Sequence, residues 1–155
     1  NGGTVWISTY TRNLQHQIDA ELDRLYADPA TKARKVVLRK GRENYLCLLN
    51  LEDALQGGFA GRAAILAQLV ARWAAYTADG DMVGGDLPGW LPTLFRRNGS
   101  TALTDRRGEC IHSACPHWRR CFVEHSIRRA RSSSVSTGRW IWTMISLFFI
   151  DDPSF

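Results

Sequence analysis

Thr4-Val5-Trp6-Ile7-Ser8-Thr9 is apolar and β-branched and follows two glycines, so it reads as a short buried strand. The period then changes. Leu14, Ile18, Leu22, Leu25 and Tyr26 fall on one face at helical spacing, while Arg12, Gln15, Asp19 and Asp23 lie elsewhere. This predicts an amphipathic helix that Asp28-Pro29 ends, because a residue before proline disfavours the helical region. Lys35-Val36-Val37-Leu38-Arg39 reads as a second short strand. A strand, a helix and a strand within the first forty or so residues make a βαβ unit, which favours a parallel sheet.

From Tyr45 onward the pattern is mostly helical. Tyr45 to Leu55 is apolar with Cys47 near its start, and Gly57-Gly58 interrupts it. Arg62 to Thr77 reads as an Ala-rich helix with Ile65, Leu66, Leu69, Val70, Trp73 and Tyr76 on its inner face. Gly80 to Gly85 reads as a loop, Leu87 to Phe95 as a turn or short helix, and Asn98 to Gly108 as a polar loop. Pro116 to Arg131 reads as a helix with proline in its first turn. The three serines at 132–134 mark a boundary. The expected fold class is α/β, a partial βαβ piece carrying a mostly α-helical insert. The expected divisions are 1–41 for the α/β piece, 42–131 for the insert and 132–155 for a tail.

The chain has 155 residues, of which 45% are hydrophobic and 23% charged, values that fit a globular domain rather than a disordered or fibrous chain. The net charge of +5 is unevenly spread. Residues 1–95 balance ten basic against ten acidic side chains, whereas residues 96–155 carry ten arginines and five acids. Clustered guanidinium groups suit phosphate backbones. The longest apolar run, Trp140 to Ile150, is far shorter than the roughly 20 residues that span a bilayer, so it reads as a buried strand or short helix and no membrane partner is expected. The chain starts Asn1-Gly2-Gly3, without methionine or a signal-peptide pattern, and reads as an internal piece of a longer, cytoplasmic protein.

Four cysteines carry the candidate chemistry. Cys110, Cys115 and Cys121 follow the spacing Cys-x4-Cys-x5-Cys, and 62 residues separate Cys47 from Cys110. Four thiolates close an iron–sulfur cluster or a tetrahedral zinc site. Two disulfides satisfy the same parity, but no feature points to secretion, and disulfides are rare in cytosolic proteins. Four unrelated buried thiols are the plainest alternative. Structural zinc sites usually place a close pair of cysteines in each half, whereas one half here has a single cysteine, so the spacing leans toward iron–sulfur. His112 and His117 lie within the triplet, as substitutes for a thiolate or as solvated loop residues.

Three segments together resemble the iron–sulfur DNA helicases of the DinG and XPD type, closest to the bacterial DinG-like branch. Val5-Trp6-Ile7-Ser8-Thr9-Tyr10-Thr11-Arg12-Asn13-Leu14-Gln15-His16-Gln17 is similar to that family's motif Ia, a strand and helix that contact the DNA backbone. Leu38-Arg39-Lys40-Gly41-Arg42-Glu43-Asn44-Tyr45-Leu46-Cys47 is similar to the segment that delivers the first cluster ligand. Cys110-x4-Cys115-Pro116-x4-Cys121, with Trp118 as the aromatic, is similar to the remaining three. The resemblance implies a piece of a P-loop motor domain with an inserted iron–sulfur domain, part of an ATP-dependent 5′ to 3′ DNA helicase. It implies a [4Fe-4S] cluster on Cys47, Cys110, Cys115 and Cys121. It also implies single-stranded or forked DNA as partner, contacted by Thr9, Thr11 and Arg12 at motif Ia, Lys40 and Arg42 beside the first ligand, and Arg119 and Arg120 beside the cluster. For each cation a solvated surface charge is the alternative reading. For Arg128, Arg129 and Arg131 on the last helix, complementing its C-terminal dipole is sufficient. Tyr45, Trp90 and Trp118 read as base-stacking or as core aromatics.

The chain has no Gly-x4-Gly-Lys-Ser/Thr loop and no Asp-Glu-x-His box, so ATP and magnesium would be handled by the rest of the motor, and the chain alone is expected to be inactive as an ATPase. After residue 131 the resemblance stops abruptly, and residues 132–155 are read as a shifted reading frame or an unrelated ending. A non-catalytic metal-cluster and DNA-binding module, or an inactive truncated remnant with unpaired sheet edges, are the competing functional readings.

Overall fold

The computed structural model describes residues 3–9, 11–58, 60–91, 93–94, 103–105, 108–133 and 146–152. The chain divides into two compact units, Asn1–Gly41 with Ser126–Phe155, and Arg42–His125. The expected boundary at residue 131 falls inside a helix, and most of the polar loop expected over Asn98 to Gly108 lies outside the described residues, as do residues 134–145 of the tail.

The first unit is built on three strands, β1 (Gly3–Thr9), β2 (Val36–Lys40) and β3 (Ser146–Asp152), in the order β1-β3-β2. Both neighbours run antiparallel to β3, with Thr4 opposite Asp151 and Val37 opposite Phe149. β1 and β2 therefore point the same way, as in a βαβ crossover, but each pairs antiparallel with β3 rather than making the parallel contact expected from the sequence. A strand drawn from the tail's apolar run lies between them. No pattern local to residues 1–41 specifies that neighbour.

Helix α1 (Arg12–Leu25) starts where Thr11 accepts a hydrogen bond from Leu14 N at 3.2 Å, an N-cap. Leu22 and Tyr26 are buried with Val36, and Ile7, Ile18 and Leu38 pack against them. Leu14 and Leu25, expected on the same face, are exposed. The sequence treats Asp28-Pro29 only as a stop, yet it also starts α2 (Pro29–Lys35). Asp28 Oδ1 and Oδ2 accept from Ala30 N and Thr31 N at 3.2 and 3.0 Å, and Pro29 supplies the first-turn φ. These bonds, with the Thr31 hydroxyl foremost, hold the Asp28 carboxyl below its ordinary range. Lys32 Nζ then ties α2 to α1 through Asp19 Oδ1 at 2.7 Å and Asp23 Oδ1 at 2.6 Å. Burial disfavours the Lys32 charge, but the two carboxylates outweigh it and its pKa is raised.

The second unit packs around Leu46, Leu51, Ala54, Leu66, Ala67, Val70, Leu87, Leu91 and Leu103. Its helices are α3 (Leu48–Asp53) and α4 (Arg62–Ala74). Helix α5 (Phe122–Ser133) begins in this unit. Tyr45 and Leu46 are not helical as expected. They form bridges to Asp81 and Thr104, and the backbone there is threaded between two loops. Met82 N donates to Asn44 O at 2.8 Å, Leu46 N to Gly80 O at 2.9 Å, and Cys47 N to Leu103 O at 2.8 Å. Helix α4 turns Leu66, Ala67 and Val70 inward, which leaves Ile65, Leu69 and Tyr76 of the expected inner face exposed. Leu66, Val70 and Trp73 of that face do pack on the core, and the fully buried Ala67 joins them, so the buried face is rotated from the expected one rather than replaced. The helix expected over Pro116 to Arg131 is present from Phe122 as α5, but it is preceded by a 3-10 turn, Trp118–Arg120, and another 3-10 turn, His112–Ala114, lies before Pro116.

Candidate metal centre

Cys47 occupies the residue before α3, fixed by the bond from its N–H to Leu103 and by its carbonyl, which accepts from Leu51 N at 3.0 Å. The neighbouring Leu46 is 1% exposed and anchors the segment in the core. Cys115 follows the first 3-10 turn and Cys121 the second, so each of these sulfurs sits where a tight turn ends. All four cysteines are free thiols and half-buried.

The Cys47 thiol is pushed up by burial. Its sulfur makes no capping hydrogen bond, yet the Asn50 and Leu49 N–H dipoles still pull it down, and negative charge at Cys110 and Cys115 pushes it up again. Cys47 is therefore within electrostatic reach of two thiols that lie more than sixty residues away in sequence. Among the described residues, no three His, Cys, Asp or Glu side chains stand in ligating positions.

Cys110 is held by N–H donors from two parts of the chain. Its sulfur accepts from Arg42 Nη1 and from the His112 backbone N, each at 3.4 Å. The other Arg42 fork donates to Glu124 Oε1 at 2.8 Å, with the arginine side chain 20% exposed and the glutamate 8%. N–H donors of this kind support metal-bound cysteines. In the type of its donors, four free thiols, the set fits a thiolate-bound metal or cluster. His117 Nε2 lies 2.8 Å from Glu52 Oε2, which ties the loop carrying the cysteine triplet to α3. The sequence reading found neither Glu124 nor Glu52. An acidic residue in a helix's first turn, or on an amphipathic helix, gives no local sign of a partner so far along the chain.

The residues expected to meet DNA are placed unevenly. Thr9 is 1% exposed at the end of β1, and its Oγ1 has no hydrogen-bond partner. Lys40 is buried and takes part in a polar contact. Thr11 spends its hydroxyl on the α1 cap, and the Arg12 backbone opens that helix. Arg42 is held between Cys110 and Glu124. Arg119 and Arg120 sit on the second 3-10 turn with exposed side chains. Tyr45 is buried, Trp118 half-buried and Trp90 exposed. Arg129 Nη2 donates to Ala33 O at 2.8 Å, near the end of α2.

Two curated proteins share sequence with the chain. The chain is 30% identical over 138 residues, 83% of its length, to the ATP-dependent DNA helicase YoaA of Haemophilus influenzae. It is also 30% identical over 138 residues to the Escherichia coli protein of the same name, covering 84% of this chain. In each case it spans 20% of the relative's length. No family model matches the chain, and no solved structure matches it. Among the described residues, no helix is long and apolar enough to cross a membrane.

Proposed function

We propose that the chain is the part of an iron–sulfur DNA helicase, of the DinG and XPD type, that bears motif Ia and the cluster domain. Cys47, Cys110, Cys115 and Cys121 would hold a [4Fe-4S] cluster. The observation that carries this reading is the Cys110 sulfur, which accepts N–H bonds from His112 and from Arg42, five residues before Cys47. Held by these thiolates, the cluster would supply one-electron chemistry. The chain's own residues do the rest. The Asn44–Cys47 segment fixes one sulfur against the core, the two 3-10 turns present the other three, and Arg42 and the His117–Glu52 pair hold the loop. Exposed Arg119 and Arg120 suit the phosphates of single-stranded or forked DNA, with the salt-dependent affinity that counterion release brings. ATP and magnesium belong to the remainder of such a helicase, since the phosphate-binding loop and the Asp-Glu-x-His box are absent from this sequence. The test is iron and acid-labile sulfide analysis of anaerobically prepared protein with zinc measured alongside. About four irons and four sulfides per chain are expected. Stoichiometric zinc without sulfide would replace the cluster by a structural zinc site. No ATP turnover is expected from the chain alone, and turnover stimulated by single-stranded DNA would refute that part.

A further inference from the structure

His112 is the one non-glycine residue with positive φ among the described residues, at +50°. Left-handed backbone disfavours residues with a Cβ and is kept where the surroundings demand it, although histidine tolerates it better than most. Both peptide groups of His112 are used by cysteines. Its N–H donates to Cys110 Sγ at 3.4 Å, and its C=O accepts from Cys115 N at 3.0 Å. The imidazole is exposed. The residue thus works through its backbone, with the ring turned to solvent.

We propose that His112 is a positioning residue whose left-handed backbone, rather than its imidazole, aims an amide N–H at the Cys110 sulfur and sets the turn that spaces Cys110 from Cys115. This rests on the cluster reading for its chemical consequence, because an N–H on a ligating sulfur stabilises the more negative, reduced cluster and raises its potential. The geometric claim itself does not need the metal.

The test compares His112→Gly, His112→Asn, His112→Ala and His112→Val. Glycine and asparagine accept left-handed backbone and lack the imidazole, alanine strains it, and a β-branched valine strains it most. In the metal-free, diamagnetic chain, hydrogen exchange at the residue-112 amide is read by 15N NMR. Protection is expected to persist in the wild type, Gly and Asn forms and to fall by roughly tenfold or more in the Val form, with Ala between. Should Val unfold the chain, the Gly-to-Ala difference carries the result. In iron–sulfur protein the Gly and Asn forms are expected to keep the wild-type potential, while Val loses cluster or shifts to a more negative potential. Equal protection and potential in Val and wild type would overturn the proposal. So would Gly and Asn forms as damaged as Val, which would assign the role to the ring. Absence of iron and sulfide from the wild type would sink the cluster reading alone, and the exchange measurement would still decide the geometry.

Discussion

Replacing Arg42 by methionine keeps the aliphatic stem and removes the guanidinium that spans Cys110 and Glu124. The consequence falls mainly on Glu124, which is 6% exposed and would keep a carboxylate with its 2.8 Å partner gone. Removing one partner of a buried pair costs about 3–5 kcal/mol. Arg42 is 20% exposed on its side chain, so water can reach the vacated place in part, and we expect the lower end, about 3 kcal/mol. Loss of the donor to Cys110 contributes within that figure, because a single hydrogen bond nets only about 1 kcal/mol. Glu124→Leu in the same background removes the stranded charge, so the double variant should be more stable than Arg42→Met alone, a coupling of at least about 1 kcal/mol. Urea unfolding of the anaerobic chain, followed by tryptophan fluorescence and far-UV circular dichroism, gives the free energies from the midpoints. A cost below about 1 kcal/mol for Arg42→Met, or strictly additive effects in the double variant, would show that the pair is not a structural lock.

The remaining predictions follow the same geometry. Gly80 has φ +65°, and a Cβ there would lie 2.2 Å from Phe122 Cγ, so Gly80→Ala should displace the residue next to Cys121 and cost about 2–4 kcal/mol by urea unfolding. An unchanged midpoint would refute that packing. Asp28 has a lowered pKa in the folded state, so its contribution is complete above the ordinary aspartate range and is lost as pH falls through the folded value. Lys32, raised in the folded state, contributes fully below the ordinary lysine range and loses its effect as pH rises through its folded value. Circular dichroism across pH should therefore show Asp28→Asn flattening the acid limb and Lys32→Met the alkaline limb, and the reverse assignment would be wrong in sign. Cys115→Ser should lose cluster and become more sensitive to protease, because metal binding and folding are coupled. Wild-type iron content and protease resistance in that variant would refute the proposed ligand.

Local physics made the elements of the first forty residues legible. The 3.6-residue spacing of Ile18, Leu22 and Tyr26 pointed to α1 and the β-branched runs to β1 and β2, whereas the Thr11 cap emerged only in the structure. Asp28-Pro29 held a helix start as well as a stop, because the same carboxylate that follows one helix can satisfy the first amides of the next. On α4, periodicity found the helix but rotated its face. Which side is buried depends on how closely the rest of the lobe approaches, and Ala67 permits an approach that Ile65 and Leu69 do not. The cysteine spacing alone suggested shared chemistry. Only the folded chain shows the Cys110 sulfur held by Arg42 and the His112 amide, Arg42 paired with Glu124, and Thr9 and Lys40 buried. Sequence fixes what each stretch of backbone prefers by itself, since propensity, period and caps act over a few residues. Partners separated by dozens of residues, such as Arg42 with Glu124 and Glu52 with His117, are chosen when the core closes and burial makes an unpaired charge costly.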